Sequence, residues 1–283
     1  MQKIIDSHIH FWSPETLRYD WLNEVPSINR PFLPADLLAQ QGDYQLEKLI
    51  FVQAGAASAD ALAEVEWVTT LAQDEPRIAA IVADAPLERG ASVTAHLETL
   101  ARNPLVKGVR RLIQSEPDGF CIQPAFIKAV QLLPRYHFSF DICIVHHQLG
   151  DVLQLVAQCP NVTFILDHLG KPAIKAGQFE PWATQLAELA TFENVWCKLS
   201  GLITEADHAG WVSADLRSYI DHALATFGAN RLLFGGDWPV SLLASTAWHE
   251  WVTTAAAALS PTDQANVFYK NAQTVYRLGA TTP

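Results

Sequence analysis

The chain has 283 residues, of which 49% are hydrophobic and 17% are charged. This composition excludes intrinsic disorder, and the length is sufficient for one large buried core. The formal net charge is −11 and no basic cluster occurs, which argues against nucleic acid and anionic membranes as partners. The four cysteines form no C-x-x-C pair, and we expect them to be buried free thiols, as suits a reducing cytosol.

The N-terminal sequence MQKIIDSHIH lacks the long apolar stretch of a signal peptide. No apolar run in the chain approaches the roughly 18 residues that a membrane-spanning helix needs. We therefore expect a cytoplasmic protein without a membrane anchor.

Short apolar runs alternate with longer amphipathic stretches along the chain. The runs are rich in Ile, Val, Leu and Phe without polar alternation, a pattern typical of parallel strands buried on both faces. Eight strands are predicted, at residues 4–10, 48–54, 78–83, 106–113, 138–145, 162–166, 195–200 and 231–235. Helices are predicted at residues 59–72, 92–101, 124–133, 149–158, 182–191, 214–227, 245–259 and 261–276.

Eight strand–helix units in a chain of 283 residues predict an α/β fold, a (β/α)8 or TIM barrel. No linker divides the chain, so residues 1–283 are interpreted as a single domain. A doubly wound open sheet is the alternative, but it would favour a Gly-rich phosphate loop after the first strand. The sequence DSHIH (6–10) stands there instead.

In a TIM barrel the active site lies at the C-terminal ends of the strands. Strand one ends in His8 and His10, which strand alternation aims at the same side. His168 follows strand six, where alternation would turn Asp167 away from it. Asp237 follows two glycines after strand eight, and these could let the backbone approach a ligand. We predict one site from the four residues His8, His10, His168 and Asp237, suited to a divalent metal or to an activated water.

Other polar residues also end strands and are candidates for substrate contact. Arg110 on strand four and Lys198 on strand seven would suit a substrate carboxylate or a polarised carbonyl. Gln53 ends strand two. His146 and His147 end strand five, and alternation allows only one of them to face inward.

Seven segments together resemble the amidohydrolase superfamily, specifically its amidohydrolase-2 group of sugar-lactone hydrolases. The segments are IIDSHIHFW (4–12), YDWL (19–22), FLPADL (32–37), VKGVRRL (106–112), FILDHLGKP (164–172), CKLSGLITEAD (197–207) and RLLFGGDWPV (231–240). They extend over essentially the whole chain.

The resemblance implies a distorted barrel of the amidohydrolase type and a hydrolase that opens a sugar-derived lactone such as an L-fucono-, L-rhamnono- or galactono-lactone. Asp237 would then activate the attacking water, beside His8, His10 and His168. Arg110 and Lys198 would hold the substrate or polarise its carbonyl. Trp12 and Trp238 would form walls for the sugar ring.

One departure from the family pattern concerns the metal. Members with two metals usually carry a carboxylated lysine on strand four, where this chain has Arg110 and Arg111. A binuclear site is therefore not expected. Two alternatives stay open: one divalent ion, zinc by ligand type, held by His8, His10, His168 and Asp237, or a metal-free site.

Two other functions fit the same scaffold. One is a metal-dependent decarboxylase of the amidohydrolase-2 group, and the other is a sugar-acid binding protein without activity. The segments GDWPV and KLSGL favour the lactonase over the decarboxylase. Asp237 argues against pure binding, because binding alone has no use for a base beside a water site.

Overall fold

The computed structural model describes residues 2–279. Eight parallel strands pair in chain order in a single sheet. They are β1 (Lys3–Ile9), β2 (Gln45–Val52), β3 (Ile78–Asp84), β4 (Val106–Leu112), β5 (Ser139–Cys143), β6 (Phe164–Leu166), β7 (Val195–Leu199) and β8 (Leu232–Phe234). Just beyond β8, Ile9 pairs with Trp238, and the amide of His10 donates to the Trp238 carbonyl at 2.8 Å. This bridge nearly closes the sheet, and the predicted (β/α)8 barrel is confirmed.

Helices surround the barrel. They are α1 (Pro34–Leu38), α2 (Ala61–Asp74), α3 (Thr94–Ala101), α4 (Pro124–Val130), α5 (Leu149–Gln158), α6 (Trp182–Ala190), α7 (Leu202–Glu205), α8 (Ser213–Phe227), α9 (Trp248–Ala257), α10 (Pro261–Ala265) and α11 (Asn271–Val275). The long helix predicted at 261–276 is divided by a π-turn at Asn266–Lys270. No helix within residues 2–279 has both the length and the apolar character needed to cross a membrane.

The interior of the barrel has an apolar layer below a charged one. The lower layer is formed by Ile5, Ile50, Val52, Val82, Ile165 and Leu233, all fully buried. Arg110 of β4 lies opposite Asp141 of β5 in the strand register, so both side chains point to the same face of the sheet. Together with Lys198 of β7 they form the charged layer nearer the C-terminal ends of the strands.

The C-terminal segment closes the opposite end of the barrel. Residues of α11 pack against the apolar layer, and Tyr276 donates its phenol hydrogen to Asp141 at 2.6 Å. The Lys48 ammonium donates to the carbonyl of Gly279. The four cysteines are buried free thiols, as predicted.

Candidate active site

Asp237 lies at the centre of three imidazoles. Its Oδ1 is 3.4 Å from Nε2 of His10, 3.7 Å from Nε2 of His8 and 4.0 Å from Nε2 of His168. The Asp237 residue is only 4% exposed. The structure thus brings together the four residues that end strands one, six and eight.

Gly236, directly before Asp237, packs closely against other parts of the protein. A Cβ at Gly236 would stand 2.5 Å from Oδ2 of Asp6 and 2.7 Å from the Trp248 ring. The absent side chain lets the Gly236 amide donate to Asp6 at 2.9 Å, while the Trp248 indole donates to the same carboxylate at 2.6 Å. Gly236 thereby joins β1 to the turn after β8.

Two of the central residues have left-handed backbone. His168 has φ 56° and Asp237 has φ 51°. In residues other than glycine this conformation costs about 1–3 kcal/mol, and such residues cluster at functional sites. Because β6 already ends at Leu166, strand alternation does not apply to Asp167 and His168. Both side chains face the site, which corrects the expectation that Asp167 turns away.

Contacts on the far side of each ring fix the imidazoles. His10 donates from Nδ1 to the carbonyl of Val52 at 2.7 Å, which leaves the lone pair of Nε2 facing Asp237. His168 Nδ1 lies 2.9 Å from the hydroxyl of Ser200. Such outer contacts orient a ring for metal binding or for proton transfer.

Electrostatics favour an ionised carboxylate among neutral imidazoles. Burial lowers the pKa of His168 to about 4, and burial also lowers the pKa of His8 and of His10. Burial alone would raise the pKa of Asp237, but His168, His10 and His8 outweigh it and bring that pKa below its usual range. At neutral pH the site therefore presents an ionised carboxylate.

A buried charge network lies beneath His8. Lys198 contacts Asp141 at 2.6 Å and Asp167 at 3.0 Å, and Arg110 donates to Asp167 at 3.1 Å. His8 Nδ1 is 3.2 Å from both Asp167 and Lys198, and its Nε2 is 3.3 Å from Arg110. The roles of Asp141 and Asp167 were not predicted. The signal for Asp141 was its position inside the apolar run FSFDICIV.

A cavity of about 360 Å³ opens above Asp237. Five of the predicted site residues line it: His10, Trp12, Arg110, His168 and Asp237. Trp21, Gln114 and Lys171 are among the other lining residues, which the sequence did not assign to the site. Trp21 and Lys171 lie in the YDWL and FILDHLGKP segments, so the motifs contained a signal for both.

The other predicted substrate contacts lie outside that lining. Lys198 and Trp238 have no exposed surface, and Trp238 packs edge to face on Phe32 at 5.4 Å. Gln53 is buried and contributes its backbone carbonyl to Arg110. Residues His146–Gln148 form a 3-10 turn rather than a strand end. Accordingly neither His146 nor His147 reaches the cavity lining, and the His147 side chain is 57% exposed beside Asp118.

One side of the cavity is aromatic. Trp12 and Trp21 meet edge to face with their ring centroids 5.3 Å apart. The Trp21 indole donates to the carbonyl of Ala54 at 2.8 Å, which holds the ring in place. Flat aromatic rings of this kind offer an apolar surface to the C–H groups of a cyclic ligand.

The donor atoms fit one zinc ion. Zinc prefers tetrahedral nitrogen and oxygen ligands at about 2.0–2.2 Å, and three Nε2 atoms lie 3.4–4.0 Å from Asp237 Oδ1. His8, His168 and Asp237 also form a compact potential ligand group. Arg110 occupies the strand-four position, with a guanidinium nitrogen 3.3 Å from His8 Nε2.

A buried set of histidines and aspartate at the mouth of a (β/α)8 barrel defines a hydrolase-type site of the amidohydrolase class. The amidohydrolase family model matches residues 5–278. The chain therefore belongs to the amidohydrolase family, which confirms the resemblance seen in its motifs.

Two lactonases and a solved amidohydrolase structure are similar to this chain. An L-fucono-1,5-lactonase of Burkholderia ambifaria is 32% identical, over 97% of this chain and 95% of that protein. An L-rhamnono-gamma-lactonase of Scheffersomyces stipitis is 26% identical, over 71% of this chain and 69% of that protein. Among solved structures, an amidohydrolase of Burkholderia multivorans with bound zinc is 33% identical with a TM-score of 0.85, covering 98% of this chain and 99% of that one.

Proposed function

We propose that the protein opens the ring of a sugar-derived lactone by attack of a water molecule that Asp237 activates. The observation that carries the proposal is the buried Asp237 carboxylate, which three imidazoles surround at the inner end of a cavity with an aromatic wall. The L-fucono-1,5-lactonase that matches 97% of this chain supports the same substrate class.

The reaction needs a base, a place for negative charge and an acid. Water attacks the carbonyl carbon and gives a proton to Asp237, while the π electrons of the carbonyl move onto its oxygen. The tetrahedral intermediate then collapses, the ring C–O bond breaks, and the ring oxygen takes the proton back from Asp237. The product is the hydroxy acid, and Asp237 returns to its ionised form.

The remaining site residues hold this arrangement. His10 and His168 are fixed from behind by Val52 and Ser200 and position the carboxylate and its water. Lys198, without exposed surface, acts through Asp167 and His8 rather than on the substrate. Trp12 and Trp21 provide the wall for the apolar face of the sugar ring.

We further propose that the site holds at most one zinc ion, through His8, His10, His168 and Asp237. A bound zinc would supply a Lewis acid and lower the pKa of a bound water. The crystallised relative with zinc and the donor geometry of this chain support that choice.

Ring opening of a lactone panel tests the proposal. Purified protein is mixed with L-fucono-, L-rhamnono- and galactono-lactones, and acid release is followed with a pH indicator against the spontaneous rate. We expect acceleration on at least one of them. Spontaneous rates throughout would overturn the proposal, and metal-dependent release of carbon dioxide from an aromatic acid would support the decarboxylase instead.

A further inference from the structure

Arg110 and Lys198 lie beside His8, and both make close contacts with protein groups. Arg110 directs both terminal nitrogens to protein groups, namely Asp167, His8 and the Gln53 carbonyl, and its Nε has no exposed surface. Lys198 has no exposed surface either. Lys198 therefore cannot reach a ligand in the cavity, and Arg110, although it lines the cavity, has three of its five N–H donors directed to protein groups.

Lys171 differs from Lys198, because it lines the cavity and has N–H bonds left to donate to a ligand. Its ammonium carries three N–H bonds, and one goes to Oε1 of Gln114 at 2.6 Å. Glu205 lies 3.8 Å away, beyond hydrogen-bond distance, and within residues 2–279 the other N–H bonds of Lys171 have no hydrogen-bond partner. The Lys171 side chain is 20% exposed, and the residue lines the cavity together with Asp237.

The backbone and the neighbouring charges hold this ammonium in its place. Lys171 has φ 51° and ends the 3-10 turn that carries His168, so the two side chains share one rigid support. Burial lowers the pKa of Lys171, but Cys143, Glu205 and Asp237 outweigh burial and leave that pKa raised. The ammonium is therefore charged at neutral pH.

We propose that Lys171, oriented by Gln114, donates a hydrogen bond to the lactone carbonyl oxygen and stabilises the negative charge that forms there when water attacks. This assignment rests on the proposed lactonase function. It makes Lys171 a catalytic residue, since its ammonium would touch the reacting oxygen while Asp237 takes the proton of the water. Lys171 keeps its contact with Gln114 throughout, and no proton of its own is consumed.

The test compares Lys171→Met with Lys171→Arg on the lactone that the wild type opens fastest. Loss of one such donor lowers kcat by about 100- to 1000-fold, and we expect KM to change by less than about threefold, because the bond matters most in the transition state. Lys171→Arg keeps the charge and should recover at least about tenfold of the lost kcat. Lys175→Met is the matched control, because Lys175 is 70% exposed and pairs with Asp207.

The outcomes separate the two proposals. A wild type without activity on any lactone overturns the lactonase function and this role with it. An active wild type with unchanged kcat in Lys171→Met overturns only the role of Lys171, as does a rise in KM alone, which would indicate binding of a sugar hydroxyl. If circular dichroism shows that Lys171→Met does not fold, Lys171→Gln decides by the same criterion.

Discussion

Lys198 Nζ lies 3.0 Å from Oδ1 of Asp167, and neither side chain has any exposed surface. Asp141 contacts the same ammonium at 2.6 Å and also accepts a hydrogen bond from Tyr276. Removing charges from water costs several kcal/mol per ion, and close pairing must repay that cost. The network thus links the floor of the barrel to His8, and His8 to the proposed catalytic centre.

We expect Lys198→Met to be strongly destabilising. The variant leaves Asp141 and Asp167 with one cation fewer, and breaking a buried pair in this way costs about 3–5 kcal/mol. Urea denaturation measures the free energy of unfolding. Arg217→Met is the control, since its pair with Asp221 is exposed and should change stability by less than about 1 kcal/mol. Equal effects of the two substitutions would contradict the structural importance of the network.

The fold could be predicted from the sequence because its signal is local and repeated. Strands buried on both faces read as apolar runs, and β3 and β7 begin at the predicted residues 78 and 195. The ends of the strands were less well predicted where the backbone turns sharply. The run at 138–145 yields a strand only at Ser139–Cys143, because Val145 already leads into the turn at His146–Gln148.

The site was predictable where residues follow strands directly and less so where the chain leaves strand geometry. His8 lies in β1 and His10 directly follows it, and both imidazoles approach Asp237 from one side, as alternation predicted. His168 has a left-handed backbone, and alternation therefore failed for Asp167 beside it. Trp238 is next to Asp237 in sequence but packs into the aromatic core. The backbone turns at Asp237, so the two side chains point in different directions.

Asp237→Asn should remove most of the activity without loss of the fold. The amide keeps the shape of the side chain but cannot accept a proton from water, and a positioned base contributes about 100- to 10,000-fold. Steady-state kinetics on the active lactone measure the loss of kcat. Asp221→Asn on the exposed face of α8 serves as the control and should retain the wild-type rate. Full activity in Asp237→Asn would remove this residue from the role of base.

Zinc binding should reach at most one ion per chain. Isothermal titration of chelator-treated protein with zinc measures the stoichiometry, and elemental analysis of the purified protein checks it. His10→Ala and His168→Ala each remove one nitrogen ligand and should weaken zinc binding at least about tenfold. His222→Ala is the control, because that ring bonds the carbonyl of Ala183 outside the site. Two tightly bound ions would contradict the argument from Arg110.

Because its carboxyl is buried, Glu64 should lower the free energy of unfolding as the pH rises and the carboxyl must ionise. Its side chain is buried on α2 and accepts a hydrogen bond from the Ala54 amide at 3.1 Å. Burial raises the pKa of Glu64 from its ordinary value of 4.5 to about 8, with Asp84 adding to the effect and the Ala54 amide opposing it. Between these values the folded protein keeps a proton that the unfolded chain has lost, so each pH unit lowers the free energy of unfolding by up to about 1.4 kcal/mol.

Glu64→Gln removes this proton linkage while it keeps an acceptor for Ala54 and a similar shape. We expect the stability of the variant relative to the wild type to increase steadily between pH 5 and pH 8, because only the wild type must ionise a buried acid. Urea denaturation at unit pH steps measures the difference. Glu66→Gln, exposed on the same helix, should give a difference that does not vary with pH. A flat difference for Glu64→Gln as well would mean that the buried carboxyl is ionised in the folded protein, and the wall of the cavity beside Ala54 would then carry an additional negative charge.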